Sequence, residues 1–242
     1  MKFTYEAYED MINLLRQNDY QVVNYYNYEN VNKCVILRHD VDMSLEKAVE
    51  MAHLEKKLGV CSTYYVLISS EFYNIYSKRS ARCLDEIMQC GHDIGLHFDE
   101  ERYGKKSDIV KHMEQEVDLL GMCLNREVKS ISMHRPSKET LEANYVIRGG
   151  KILNSYGKEF FTYFKYVSDS RKQWREDVFH IIQSSHHNRL HILTHPIWYE
   201  IDERTMHDQL KQFCRNAVEE RYIALTDNIR NLEEILRREE NA

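Results

Sequence analysis

From residue 33 onward, short apolar runs alternate with segments of helical periodicity, and this alternation directs the chain towards βα units and a parallel sheet. Residues 34–37 read as a short buried strand that ends at Arg38-His39-Asp40. Residues 45–58 read as a helix, with Ser44 as N-cap and Gly59 as its stop. A strand at 62–67, a helix at 81–90, a strand at 93–98, an amphipathic helix over about 107–124 and a strand at 129–133 follow. Later strands are expected near Ile152 and at 163–167, 178–182 and 191–193, then helices over about 203–219 and 228–239. Seven or so strands with covering helices fit a distorted (β/α) barrel better than a flat sheet. A length of 242 residues suits a single domain over 1–242, with an N-terminal helix and C-terminal helices.

Composition narrows the function classes. Hydrophobic residues at 43% and charged residues at 30% suffice for a sizeable core in a water-soluble chain. The net charge of −6 and the lack of a basic block argue against a nucleic-acid partner. The N-terminus has no apolar core of signal-peptide length, and no stretch approaches the roughly 18 apolar residues of a membrane span. The expected location is therefore the cytoplasm. Six cysteines without a CxxC pair read as buried free thiols.

Parallel α/β folds place functional groups where strands end. Four polar clusters fall at such ends: Arg38-His39-Asp40-Val41-Asp42, His97-Phe98-Asp99, His134-Arg135-Pro136-Ser137 and Thr194-His195-Pro196. On extended backbone Asp40 and Asp42 project the same way, so one can bind a hard cation while the other takes a proton from water. His97 and Asp99 share that spacing and pair a nitrogen with an oxygen ligand. The simpler alternative is that Asp42 and Asp99 only cap the turns that follow them.

A chain of this length would carry about 12 prolines on average, whereas only Pro136 and Pro196 occur, both inside these clusters. Trp174 and Trp198 lie near the same segments, where an aromatic face suits a sugar ring. His53, His112 and His207 fall on expected helices and read as surface groups. His180, His186, His187 and His191 surround an expected hairpin and are left out of the site.

With these residues the sequence resembles the polysaccharide-deacetylase superfamily (NodB-like, carbohydrate esterase 4-like), in particular a branch found in surface-polysaccharide biosynthesis. The matching segments are LRHDVDMS at 37–44, GHDIGLHFDE at 91–100, MHRPS at 133–137, VSDSRKQW at 167–174 and LTHPIWY at 193–199. The resemblance implies a distorted (β/α) barrel of about seven strands. It implies Asp40 as catalytic base, Asp42 and His97 as metal ligands, Arg135 as the arginine that orients the base, Asp169 as the residue that tunes the general acid or supports the arginine, and His195 as general acid. The family's second metal-binding histidine would fall at Glu101, so the third ligand is expected to be Asp99 or, second, Glu101. Ser137 stands where the family carries an aromatic residue.

The implied activity is metal-dependent removal of an acyl group, acetyl foremost, from an N-acylated sugar, with zinc the ion best suited to a mixed His/carboxylate set. A nucleotide- or lipid-linked intermediate of surface-polysaccharide synthesis suits a chain without an export signal. Two rival readings are a catalytically inactive sugar-binding relative and a glycosyltransferase using Asp40-Val41-Asp42 as its DxD.

Overall fold

Every residue of the strand β2 (Cys34–Val41) is buried, because both of its faces are covered. The computed structural model describes residues 1–104 and 108–238. The sheet runs β6 (Leu153–Asn154), β5 (Ser130–His134), β4 (Asp93–Asp99), β3 (Thr63–Leu67), β2, β8 (Arg189–Thr194) and β7 (Lys165–Ser168). A short strand, β1 (Gln21–Val23), pairs with the first half of β2. Every pairing is parallel. The seven-strand path matches the expected number; β1 adds three residues, too few to show a period.

Side-chain alternation along β2 sorts the interior. Val35, Leu37 and Val41 join the large apolar cluster with helix residues such as Met51 and Leu120. Cys34 and Ile36 join a second cluster with Tyr25, Tyr65, Phe160 and Phe164. Arg38 and Asp40 continue this second face towards the strand ends. The sheet curls around that face: Arg38 reaches Ser155 Oγ, one residue past β6, at 3.3 Å, and its guanidinium lies 4.8 Å from the Tyr156 ring. The result is an open, distorted (β/α) barrel whose edge strands are β6 and β7. Gly95 makes room inside it, since a Cβ there would collide with the Tyr65 ring.

The helices are α1 (Tyr5–Gln17), α2 (Leu45–Leu58), α3 (Lys78–Gln89), α4 (Ile109–Leu124), α5 (Lys138–Ala143), α6 (Lys158–Thr162), α7 (Val178–Ser184), α8 (Met206–Asn228) and α9 (Leu232–Ile235). α2 has the expected bounds and caps: Ser44 accepts from Lys47 N, and Gly59 takes a left-handed φ of 63°. The segment 178–182 is helix α7 rather than the expected strand. Asp177 caps it through Phe179 N and His180 N, and burial of Val178, Ile181 and Ile182 follows the helical period. The expected hairpin around His186 is therefore the turn between α7 and β8. The expected helix ends at Ser107 and Glu239 lie outside the described residues.

Behind β2, Glu55 of α2 is wholly buried. It accepts from Tyr8 Oη (2.6 Å), Ser62 Oγ (2.6 Å), Tyr64 Oη (2.8 Å) and His39 Nε2 (3.0 Å). Burial raises the pKa of such a carboxyl, but the charge and hydrogen bond of His39 dominate and push it down to about 2. All six cysteines are free; Cys34 and Cys90 are buried, and Cys214 is exposed.

The chain divides into two compact units, Met1–Ile201 and a second beginning at Asp202. In the second, Tyr222 Oη donates to Leu236 O at 3.0 Å, and Arg238 pairs with Glu219. Among the described residues no helix is long and apolar enough to cross a membrane.

Candidate metal centre and active site

All the clustered polar residues lie in the first unit, at the C-terminal ends of strands. Asp42 follows β2, His97 and Asp99 close β4, His134 ends β5, Asp169 follows β7 and His195 follows β8. Curling of the sheet brings these ends together.

Asp42, His97 and His134 each offer a ligand atom, and the three atoms lie within 4.8 Å of one another. His97 Nε2 is 3.2 Å from Asp42 Oδ1, and His134 Nε2 is 3.9 Å from the same oxygen. Asp42 Oδ1 is buried without a hydrogen-bond partner of good geometry, despite the nearness of His97. An orphaned carboxylate oxygen facing two imidazoles fits a divalent cation, and two histidines with one carboxylate form a donor set suited to zinc. Burial works against the Asp42 charge, yet the histidines around it hold its pKa well below the usual carboxylate range.

Strand register explains how both histidines are aimed. His97 pairs with Ser132 across β4 and β5, and its Nδ1 lies 3.1 Å from Ser132 Oγ, leaving Nε2 towards Asp42. Asp99 pairs with His134 in the same ladder, and His134 Nδ1 donates to Asp99 Oδ2 over 3.2 Å. That bond leaves the His134 lone pair on Nε2, the ligand side. Burial, then the neighbouring His97, lowers the His134 pKa, which favours the neutral imidazole a metal needs.

The third donor of the cluster is therefore His134, in place of the expected Asp99 or Glu101. Asp99 stands one step back, orienting His134 and accepting from Glu101 N; Glu101 itself is exposed. The sequence reading placed His134 in a strand-end cluster but passed over it as a ligand. Its register opposite Asp99 was the available signal.

Asp40 lies 3.6 Å from His97 Nε2, beside the cluster. Its cationic partner is Arg38, two residues earlier on the same strand. Arg38 Nε donates to Asp40 Oδ1 at 2.9 Å and Nη2 to Oδ2 at 2.7 Å. Arg38 is fully buried, also donates to Ser132 Oγ (2.5 Å), and lies 5.2 Å from the Tyr65 ring. Burial raises the Asp40 pKa, but the Arg38 charge outweighs it and keeps the carboxylate ionised. Arg135, expected in this role, instead places its Nε 3.1 Å from His134 Nε2. The sequence reading missed Arg38, although it opened the first cluster.

His195 adjoins the cluster at Asp42, with Nε2 3.9 Å from Asp42 Oδ2. Its Nδ1 lies 2.6 Å from Asp169 Oδ1. Asp169 is completely buried; it also accepts from His195 N and from Tyr199 Oη. Burial disfavours the imidazolium, but the Asp169 charge and hydrogen bond prevail and raise the His195 pKa to about 9. The site thus sets an ionised carboxylate and a protonated imidazole beside a candidate metal centre. Trp198 lies on the turn after His195, and Trp174 five residues past Asp169. Both are half-buried, and each indole Nε1 is buried without a hydrogen-bond partner.

No family model matches the chain, and no curated protein matches it. Among solved structures, it is similar to a CE4 family pseudoenzyme from Bacillus anthracis, with 15% identity, a TM-score of 0.44, and 79% of this chain and 62% of that chain covered. It is also similar to a polysaccharide deacetylase from Bacillus cereus, at 16% identity and TM-score 0.45 over 72% of this chain and 93% of that one. A family 4 carbohydrate esterase from Bacillus anthracis gives 14% identity and TM-score 0.46 over 86% of this chain and 84% of that one. The chain spans less than two thirds of the length of the pseudoenzyme.

Proposed function

We propose that this chain is a metal-dependent hydrolase that removes an acyl group, acetyl foremost, from an N-acylated sugar. The observation that carries the reading is that Asp40, 3.6 Å from His97, and His195, 3.9 Å from Asp42, both adjoin the Asp42–His97–His134 cluster. Together with the motifs in the sequence, it supports a deacetylase of the polysaccharide-deacetylase kind. Asp42, His97 and His134 would hold a divalent ion, zinc by its donor set, and that ion would supply positive charge to polarise the acyl group and acidify water.

The chain's own groups then divide the proton work. Asp40, kept ionised by Arg38, takes the proton from the attacking water at a carboxylate oxygen. The carbon–nitrogen bond breaks as His195 Nε2 delivers its proton to the departing amine, leaving a free carboxylic acid and an amino sugar. Asp169 holds His195 in the protonated form that this step requires. Trp174 and Trp198 offer aromatic faces to the sugar.

The rival readings fit less well. The departure at Glu101 does not cost the cluster a ligand, because His134 completes it. The DxD reading needs two carboxylates for a nucleotide-bound metal, whereas Asp40 is committed to Arg38. The experiment is to load the full chain with zinc and measure acetate and free-amine release from a panel of N-acetylated amino sugars. Release that depends on metal and on Asp40 is the expected result. Binding of metal and sugar without release would make the chain a sugar-binding protein.

A further inference from the structure

Asp40 already owns a buried guanidinium, so the arginine at the rim has no base to hold. Arg135 sits one residue past β5, exposed, with its Nε 3.1 Å from His134 Nε2. Its φ of 46° is left-handed, a conformation that costs a non-glycine residue and tends to persist where function maintains it. Across the site, the residues after Asp169 repeat this: Arg171 has a φ of 61° and Lys172 one of 54°. Three cationic residues in left-handed backbone thus occupy the two loops that follow His134 and Asp169.

These loops flank one centre. His134 Nε2 is 3.9 Å from Asp42, Asp42 is 3.9 Å from His195, and His195 is 2.6 Å from Asp169. Three of the carboxylates nearby are already engaged. Asp99 holds His134, Glu100 accepts from Ser137 N and Thr140 Oγ1, and Asp169 holds His195. Among the described residues neither Arg135 nor Arg171 has a carboxylate partner, and Arg171 is exposed. Lys172 lies over the Phe3 ring at 5.7 Å. The His134 lone pair that Arg135 faces is also the one a metal ion would take, so a bound metal would free the Arg135 guanidinium. A freed guanidinium beside a bound cation favours an anion close to both.

We propose that Arg135 and Arg171 bind an oxyanion carried by the substrate, so that the N-acylated sugar is a phosphorylated one. This rests on the deacetylase reading for the acyl group but not for the anion. A phosphate offers acceptor oxygens in several directions and can meet guanidinium groups from two loops at once.

The test is equilibrium binding to the metal-free full chain by calorimetry, with N-acetylglucosamine and N-acetylglucosamine 1-phosphate as probes. The phosphate form should bind about tenfold tighter or better, with an advantage that falls as salt is raised. Arg135→Ala and Arg171→Ala should each remove most of that advantage; Arg171→Ala, on an exposed side chain, guards against loss of folding at Arg135. A uridine-diphosphate-linked sugar, run as a further arm, tells a nucleotide diphosphate from a simple phosphate. Equal binding of the two probes by the wild type, or an undiminished phosphate advantage in both variants, would overturn the anion site. Acetate release from zinc-loaded protein without any phosphate advantage keeps the deacetylase reading and removes this one. A phosphate advantage without release does the reverse.

Discussion

Arg38 and Asp40, two residues apart on β2, close a two-pronged ion pair wholly inside the barrel. Alternation points both side chains into the interior, so the carboxylate and its counter-ion come from one strand rather than from two loops. The arrangement is rigid, because Ser132, Ser155 and two tyrosine rings hold the guanidinium from the remaining sides.

Removing Arg38 leaves a buried, unpaired carboxylate. Arg38→Ala should cost about 3–5 kcal/mol of stability, read from denaturant unfolding, and should abolish turnover. Asp40→Asn is the gentler change: it should keep the metal and slow turnover by about 10²–10⁴-fold, the range for loss of a general base. Metal loss in Asp40→Asn, measured by elemental analysis, would make Asp40 a ligand.

The metal assignment separates His134 from Asp99. Asp42→Ala, His97→Ala and His134→Ala should each lose the ion, whereas Asp99→Asn should weaken binding by about 10–100-fold, as loss of an orienting partner does. Competition against a calibrated chelator reads both effects. If Asp99→Asn loses the ion completely and His134→Ala retains it, the ligand set reverts to the one expected from strand spacing.

The rim of the barrel was legible because strand ends carry polar residues that a buried strand cannot otherwise tolerate. The clusters at 38–42, 97–99, 134–137 and 194–196 all fall there. Residue roles were less legible, because they depend on register. Nothing within MHRPS says that His134 lies beside Asp99, while parallel pairing of β4 with β5 does. Arg38 was missed for a related reason: an arginine before the motif reads as surface charge until the strand is seen to run on to Val41. At 178–182 the sequence Val-Phe-His-Ile-Ile has strand propensity, and the Asp177 cap with burial at helical spacing overrides it.

The buried Glu55 predicts how stability responds to acid. Its pKa falls to about 2 in the folded protein from 4.5, so its contribution is fully present above about 4.5 and is lost as pH drops towards 2. The size is about 3 kcal/mol at neutral pH. Unfolding titrations between pH 6 and 2 should show this loss, and Glu55→Gln should begin less stable and follow a flatter course. A variant as acid-sensitive as the wild type would assign the loss to other carboxylates.

His195 offers the sharpest check on the proton chemistry. In metal-free protein its pKa stands near 9, raised from 6.5 against the pull of burial by Asp169. A raised pKa stabilises the fold fully below 6.5, and that stabilisation fades as pH climbs through 9. The imidazole signals of His195, followed by NMR, should therefore titrate near 9 in the metal-free chain. Asp169→Asn should bring that midpoint down, because the main source of attraction for the imidazolium is gone. Loading the metal should also lower it, since a cation at Asp42 repels the imidazolium 3.9 Å away. The alkaline limb of turnover should then follow the metal-loaded value, and His195→Gln should slow turnover and flatten that limb while metal content stays the same. A midpoint near 6.5 in the metal-free protein, unmoved by Asp169→Asn, would separate His195 from Asp169 and leave protonation of the departing amine to another group.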